Sequence, residues 1–127
     1  MKRRSFFRGL LAGFGASVTT PLFGATRRSV LIQESPVAGF QFHRGEAIWP
    51  LLAVDQRLAL VRESSNPHDA DAVAVYFHND KLGYVPRSEN RVVAGMLDRG
   101  EQLEARISGL ASSDDPWERI RFTIIRV

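Results

Sequence analysis

The stretch R-E-S-S-N-P-H-D-A-D-A-V-A-V-Y-F-H-N-D-K-L-G-Y-V-P-R, Arg62 to Arg87, decides the fold. Asn66 and Pro67 are turn-makers: proline fixes φ at about −65°, and an Asn side chain bonds backbone two residues on. From Ala72 to His78 the chain alternates, with Val73, Val75 and Phe77 on one face and Ala74 and Tyr76 on the other. That is the period of a strand. Asn79-Asp80 reads as a tight turn, because both residue types tolerate the left-handed conformation that a two-residue hairpin needs. Leu82 to Val85 then returns as the partner strand, and Arg87 stands at its end. The stretch is therefore a polar loop followed by a hairpin.

Working outward, Leu58 to Val61 reads as a strand entering the loop. A strand is also expected from Val37 to His43, where Val37, Gly39, Gln41 and His43 alternate with Ala38, Phe40 and Phe42. Gly39 within it suggests a bulge or a close backbone approach. The first strand is expected at Ser29 to Gln33, broken by Ser35-Pro36, and Arg44 to Pro50 reads as a loop. Downstream, Val92, Val93, Met96 and Leu97 repeat at helical spacing. Ser88 is the expected cap of that helix, Glu89 favours its positive end, and Gly100 closes it. Gln102 to Ser108 and Trp117 to Val127 complete the strands, the last with Ile120, Phe122 and Ile124 facing inward. Five or more short strands with one helix predict a mainly β, α+β domain built as a small β-barrel or curled sheet.

The chain has 127 residues, enough for one such domain. Residues 1–25 stand apart as a head with four basic residues and no acid, followed by an apolar run from Gly9 to Val18. Arg3-Arg4, then Ser5, Phe6, Phe7 and Arg8, resembles a twin-arginine export signal. The run is too short and glycine-rich to span a bilayer, which takes roughly 20 apolar residues. A removable signal and a periplasmic domain over residues 26–127 are the expectation, although Phe23-Gly24-Ala25 is a poor processing site. An uncleaved basic tail on a cytoplasmic protein is the alternative.

Charge follows from that division. Lys2, Arg3, Arg4 and Arg8 lie in the head, so residues 26–127 keep 13 basic against 14 acidic residues, a net charge near −1. The basic isoelectric point is thus no sign of a broad nucleic-acid-binding surface, and any phosphate must be held by a few arginines. The absence of cysteine excludes disulfides, thiol nucleophiles and thiolate zinc sites. His43, His68 and His78 lack metal-ligand spacing. No phosphate loop, nucleophile elbow or paired-carboxylate motif is present, so neither metal, cofactor nor enzymatic activity is expected.

Three words of the sequence resemble the HIRAN domain family: V-A-G-F-Q-F at Val37 to Phe42, L-V-R-E-S-S-N-P-H-D-A-D-A-V-A-V at Leu60 to Val75, and K-L-G-Y-V-P-R at Lys81 to Arg87. Their order and spacing match that small β-barrel, whose relatives stand in front of Swi/Snf-type DNA translocases or alone in bacteria. The resemblance implies an OB-like or SH3-like barrel that captures the unpaired 3′ end of single-stranded DNA. In that family aromatic rings stack on bases, an acid meets the terminal hydroxyl, and basic groups hold phosphate. Gln41, Phe42 and His43 stand where the family places a basic residue and two aromatics, and His68 and Asp69 where it places an aromatic and the acid. Tyr84 and Arg87 occupy the hairpin positions, and Trp117 the late aromatic.

The departures carry a consequence. Gln41 replaces an arginine, and His43 and His68 replace tyrosine-like rings, which weakens phosphate attraction and stacking. Stacking is worth roughly 1 to 3 kcal/mol per base. Several residues also keep a second reading: Asp69 can set the loop by bonding its own backbone, Phe42 and Tyr84 can be core, and Arg87 can be a solvated surface arginine. A second function class follows from the export signal and near-neutral charge, namely a periplasmic barrel that binds a protein, peptide or small ligand without DNA.

Overall fold

A computed structural model describes residues 29–127. The expected twin-arginine-like segment and its junction at residue 25 lie outside the described residues. Six strands form one antiparallel sheet: β1 (Val30–Pro36), β2 (Arg57–Arg62), β3 (Val73–Phe77), β4 (Asp80–Tyr84), β5 (Leu103–Leu110) and β6 (Ile120–Arg126). Their spatial order is β1-β6-β5-β2-β3-β4. Two helices, α1 (Gly45–Ile48) and α2 (Arg91–Asp98), sit in the connections. The domain is thus the mainly β, α+β fold expected, a six-stranded sheet curled like a barrel but not closed by a continuous ladder. Its two ends meet through one bridge, where Ala38 and Tyr84 exchange N–H···O bonds of 2.8 and 2.9 Å.

The core lies inside the curl. Ile120, Phe122 and Ile124 are fully buried, as their alternation predicts, and they meet Val73, Val75, Leu82, Ile107 and Phe40. Truncating a ring such as Phe122 to alanine would cost about 3 to 5 kcal/mol. Among the described residues, no helix is long and apolar enough to cross a membrane.

Several local expectations are corrected. Val37 to His43 is not a strand: Gly39 turns left-handed (φ 73°), and Phe40–Phe42 is a 3₁₀ turn in which Phe42 N–H donates to Gly39 and His43 N–H to Phe40. The alternation there is broken by the glycine, so Phe40 is buried while Phe42 is 78% exposed. β1 runs on through Ser35 and Pro36, because an edge strand loses nothing when proline offers no N–H to its open side. The segment read as a loop from Arg44 to Pro50 holds α1 and the start of a 3₁₀ turn, Trp49–Leu51. The hairpin turn is His78-Asn79, with His78 at φ 53°, and Asp80 already pairs with Phe77. Residues before Ile120 do not join the last strand, since Pro116–Glu118 forms a 3₁₀ turn capped by Asp115.

Ser88 does not cap the helix. It lies in a 3₁₀ turn, Arg87–Glu89, and α2 begins after Asn90, whose side chain makes no cap bond. The other end behaves as read: Gly100 is left-handed (φ 79°), its N–H donates to Leu97, and the Glu101 N–H donates to Met96. These two bonds satisfy two of the carbonyls in the last turn of the helix.

Candidate nucleic-acid interface

The loop between β2 and β3 is a chain of side-chain-closed turns. Asn66 Oδ1 accepts from the His68 N–H at 2.8 Å, bridging Pro67, and Asp69 Oδ1 accepts from the Asp71 N–H at 2.9 Å. Such bonds are the reason Asn and Asp favour turns. The second carboxylate oxygen of Asp69 accepts from Asn90 Nδ2 at 2.7 Å, and Asn90 is 2% exposed. The amide that could have capped α2 instead holds the loop to the helix. The turn-setting reading of Asp69 is therefore realised, and each oxygen keeps a further lone pair.

The hairpin brings a second set of groups to this loop. In a regular strand, residues three apart point to opposite faces. The β3–β4 register shifts between Val75 and Tyr76, which face Gly83 and Lys81, so Leu82 is an extra residue. That bulge turns Lys81 and Tyr84 to the same side. Gly83 (φ 155°) leaves room for the bridge to Ala38, because a Cβ there would stand 2.2 Å from the Ala38 carbonyl oxygen. Lys81 Nζ donates to Glu63 and to the Tyr84 hydroxyl, both at 3.0 Å, and Tyr84 donates to Glu63 at 2.9 Å. The Tyr84 and Glu63 bonds hold the Lys81 ammonium well above the usual lysine range. Burial would raise the Glu63 carboxyl, but the bonds from Lys81, Asn66 and Tyr84 outweigh it and push the group down.

An open groove of about 570 Å³ lies between these elements. Its lining includes Phe42, His68, Asp69, Tyr84 and Arg87, five of the eight residues singled out from the sequence, together with Asn66. His43 is not in the lining; its ring packs edge-on against Tyr84 with centroids 5.6 Å apart. Burial, aided by the Lys81 charge, lowers its pKa. Gln41 is exposed beside Phe42 but outside the groove, and Trp117, 49% exposed, also stands outside it in the Pro116–Glu118 turn. That turn packs against the one carrying Phe42.

Among the described residues, only Arg87, Arg91 and Arg106 lack an ion pair, and Arg106 donates to the Asp55 carbonyl instead. Arg87 thus brings an uncompensated charge to the groove. Among the described residues, no three His, Asp or Glu side chains converge as metal ligands would. Sequence reasoning missed Asn90, Glu63 and Lys81. Asn90 meets Asp69 only through the packing of α2 on the loop, and the other two depend on a bulge with no sequence marker besides Gly83.

Comparison with known proteins agrees with this architecture. No curated protein matches the chain. A crystal structure of a protein from Lactobacillus plantarum superposes with a TM-score of 0.68 at 27% identity, covering 78% of this chain and 95% of that one. The crystal structure of the HIRAN domain of human HLTF superposes with a TM-score of 0.61 at 20% identity, covering 77% of this chain and 78% of that chain. The model of the HIRAN domain matches residues 30–126. With nearly all of the described residues inside that match, the chain belongs to the HIRAN domain family, generally a DNA-binding module.

Proposed function

We propose that the groove binds the free 3′ end of single-stranded DNA and that the domain is a binding module without catalysis. The observation that supports this most is the shared lining: an exposed ring at Phe42, a carboxylate at Asp69 and an unpaired cation at Arg87. These are the three chemistries a terminal nucleotide presents partners for, namely base face, sugar hydroxyl and phosphate. Phe42 stacks on the terminal base, Asp69 accepts from the 3′ hydroxyl, and Arg87 holds the last phosphate. Tyr84 and His68 flank the sugar. One cation supports modest affinity with a shallow salt dependence, since each phosphate neutralised contributes about 0.7 to the slope for a single strand.

Fluorescence anisotropy with oligonucleotides bearing a free or a phosphate-blocked 3′ end, at low salt, tests the reading. The free end should bind about tenfold more tightly, the size of one charge-assisted hydrogen bond. Equal failure with both would sink it and leave a protein, peptide or small ligand as the occupant. Periplasmic placement by twin-arginine export is part of the proposal. Its check is fractionation with Arg3 and Arg4 changed to lysine, and secretion undiminished by that change would refute it.

A further inference from the structure

A lysine beside a nucleic-acid groove is first read as a phosphate ligand. Lys81 does not fit that role. Two of its three ammonium donors go to Glu63 Oε2 and the Tyr84 hydroxyl, and it lies 4.9 Å from the Tyr84 ring centroid, outside the groove lining. Glu63 in turn uses Oε1 to accept from Tyr84 at 2.9 Å and from Asn66 Nδ2 at 3.1 Å. Tyr84 and Asn66 both line the groove. The ion pair thus reaches the groove only through two side chains whose orientation it sets.

We propose that Glu63 and Lys81 are positioning residues that lock Tyr84 and Asn66 as fixed groove wall, and that neither touches the nucleic acid. The inference rests on the single-strand reading above. Its physical basis is preorganisation: a ring and an amide ordered beforehand need not be ordered by the ligand. Asn66 is held at both ends of its amide, with Nδ2 on Glu63 and Oδ1 under the His68 N–H. Tyr84 is held at its hydroxyl by both members of the pair and at its backbone by Ala38.

The sign of one substitution separates this role from phosphate contact. Glu63→Gln removes a negative charge and frees Lys81, so a phosphate-binding Lys81 would bind single-stranded DNA more tightly. Positioning predicts the reverse, weaker binding by about tenfold, with the slope of log K against log salt unchanged. Lys81→Met should weaken binding similarly, again without changing the slope. Where Glu63→Gln does not fold, Tyr84→Phe serves, because it keeps the ring and removes only the hydroxyl. Combined with Lys81→Met it should add little, as residues of one network do. Tighter binding by Glu63→Gln, or a slope reduced by about 0.7 in Lys81→Met, would overturn the inference.

If wild-type protein binds no single strand at all, the proposed function falls. The wall is then judged by NMR of the Lys81→Met protein. Altered Asn66 side-chain amide and Tyr84 ring resonances support the lock, and unchanged resonances refute it.

Discussion

The Asn66–Asp69 side of the groove and its Phe42 side are held in opposite ways. Asp69 and Asn66 are fixed by hydrogen bonds at both ends of their side-chain groups, whereas Phe42 is 78% exposed on a turn set by Gly39. The first part stabilises the protein and offers spare lone pairs. The second adds nothing to the core and becomes useful only when a ligand covers it. Removing Asn66, Asp69 or a group that holds them should therefore damage both fold and binding, and removing the Phe42 ring should damage binding alone.

The largest effect should come where the two parts are joined. Gly83→Val places side-chain atoms against the Ala38 carbonyl and disrupts the bridge that carries Gly39 and Phe42 to the hairpin. It should destabilise the domain by about 3 kcal/mol or more, visible as a drop in Tm by calorimetry. Next, Asn90→Ala strips Asp69 of its buried donor and should cost about 1 to 3 kcal/mol in denaturant unfolding while also weakening DNA binding. Phe42→Ala should leave unfolding within about 0.5 kcal/mol of wild type, yet remove at least about 1 kcal/mol of single-strand affinity. A stability loss at Phe42 as large as that at Asn90 would erase the contrast.

How much of this was legible in the sequence follows the same division. Asn66, Pro67 and Asp69 announce the loop because turn chemistry is local, acting over two or three residues. The alternation of β3 and β6 was equally plain, since one face of each strand is core. Phe42 was misplaced, because Val37 to His43 alternates like a strand while Gly39 makes a left-handed turn. Asn90 and the Glu63–Lys81 pair were invisible because their partners lie 21 and 18 residues away in sequence and meet through helix packing and a bulge.

Smaller effects sharpen the comparison further. Arg87→Ala should leave stability unchanged and lower the salt slope of single-strand binding by about 0.7, read from titrations across a sodium chloride series. His43 gives the smallest effect. Its pKa in the folded protein lies below the ordinary 6.5, so as pH falls the unfolded chain takes up the proton first. Stability is thus complete above about pH 6.5 and declines below it until folded His43 is protonated too. Denaturant midpoints between pH 8 and 5 should show this decline in wild type and a smaller one in His43→Phe.

The most direct measurement is an NMR titration of the isotope-labelled protein with a short single-stranded oligonucleotide carrying a free 3′ hydroxyl. Shifts confined to Gly39, Phe42, Asn66, His68, Asp69, Tyr84 and Arg87, and needing about tenfold more oligonucleotide once the 3′ end is phosphorylated, are the predicted result. Shifts elsewhere on the sheet, or an identical response to the blocked end, would contradict it.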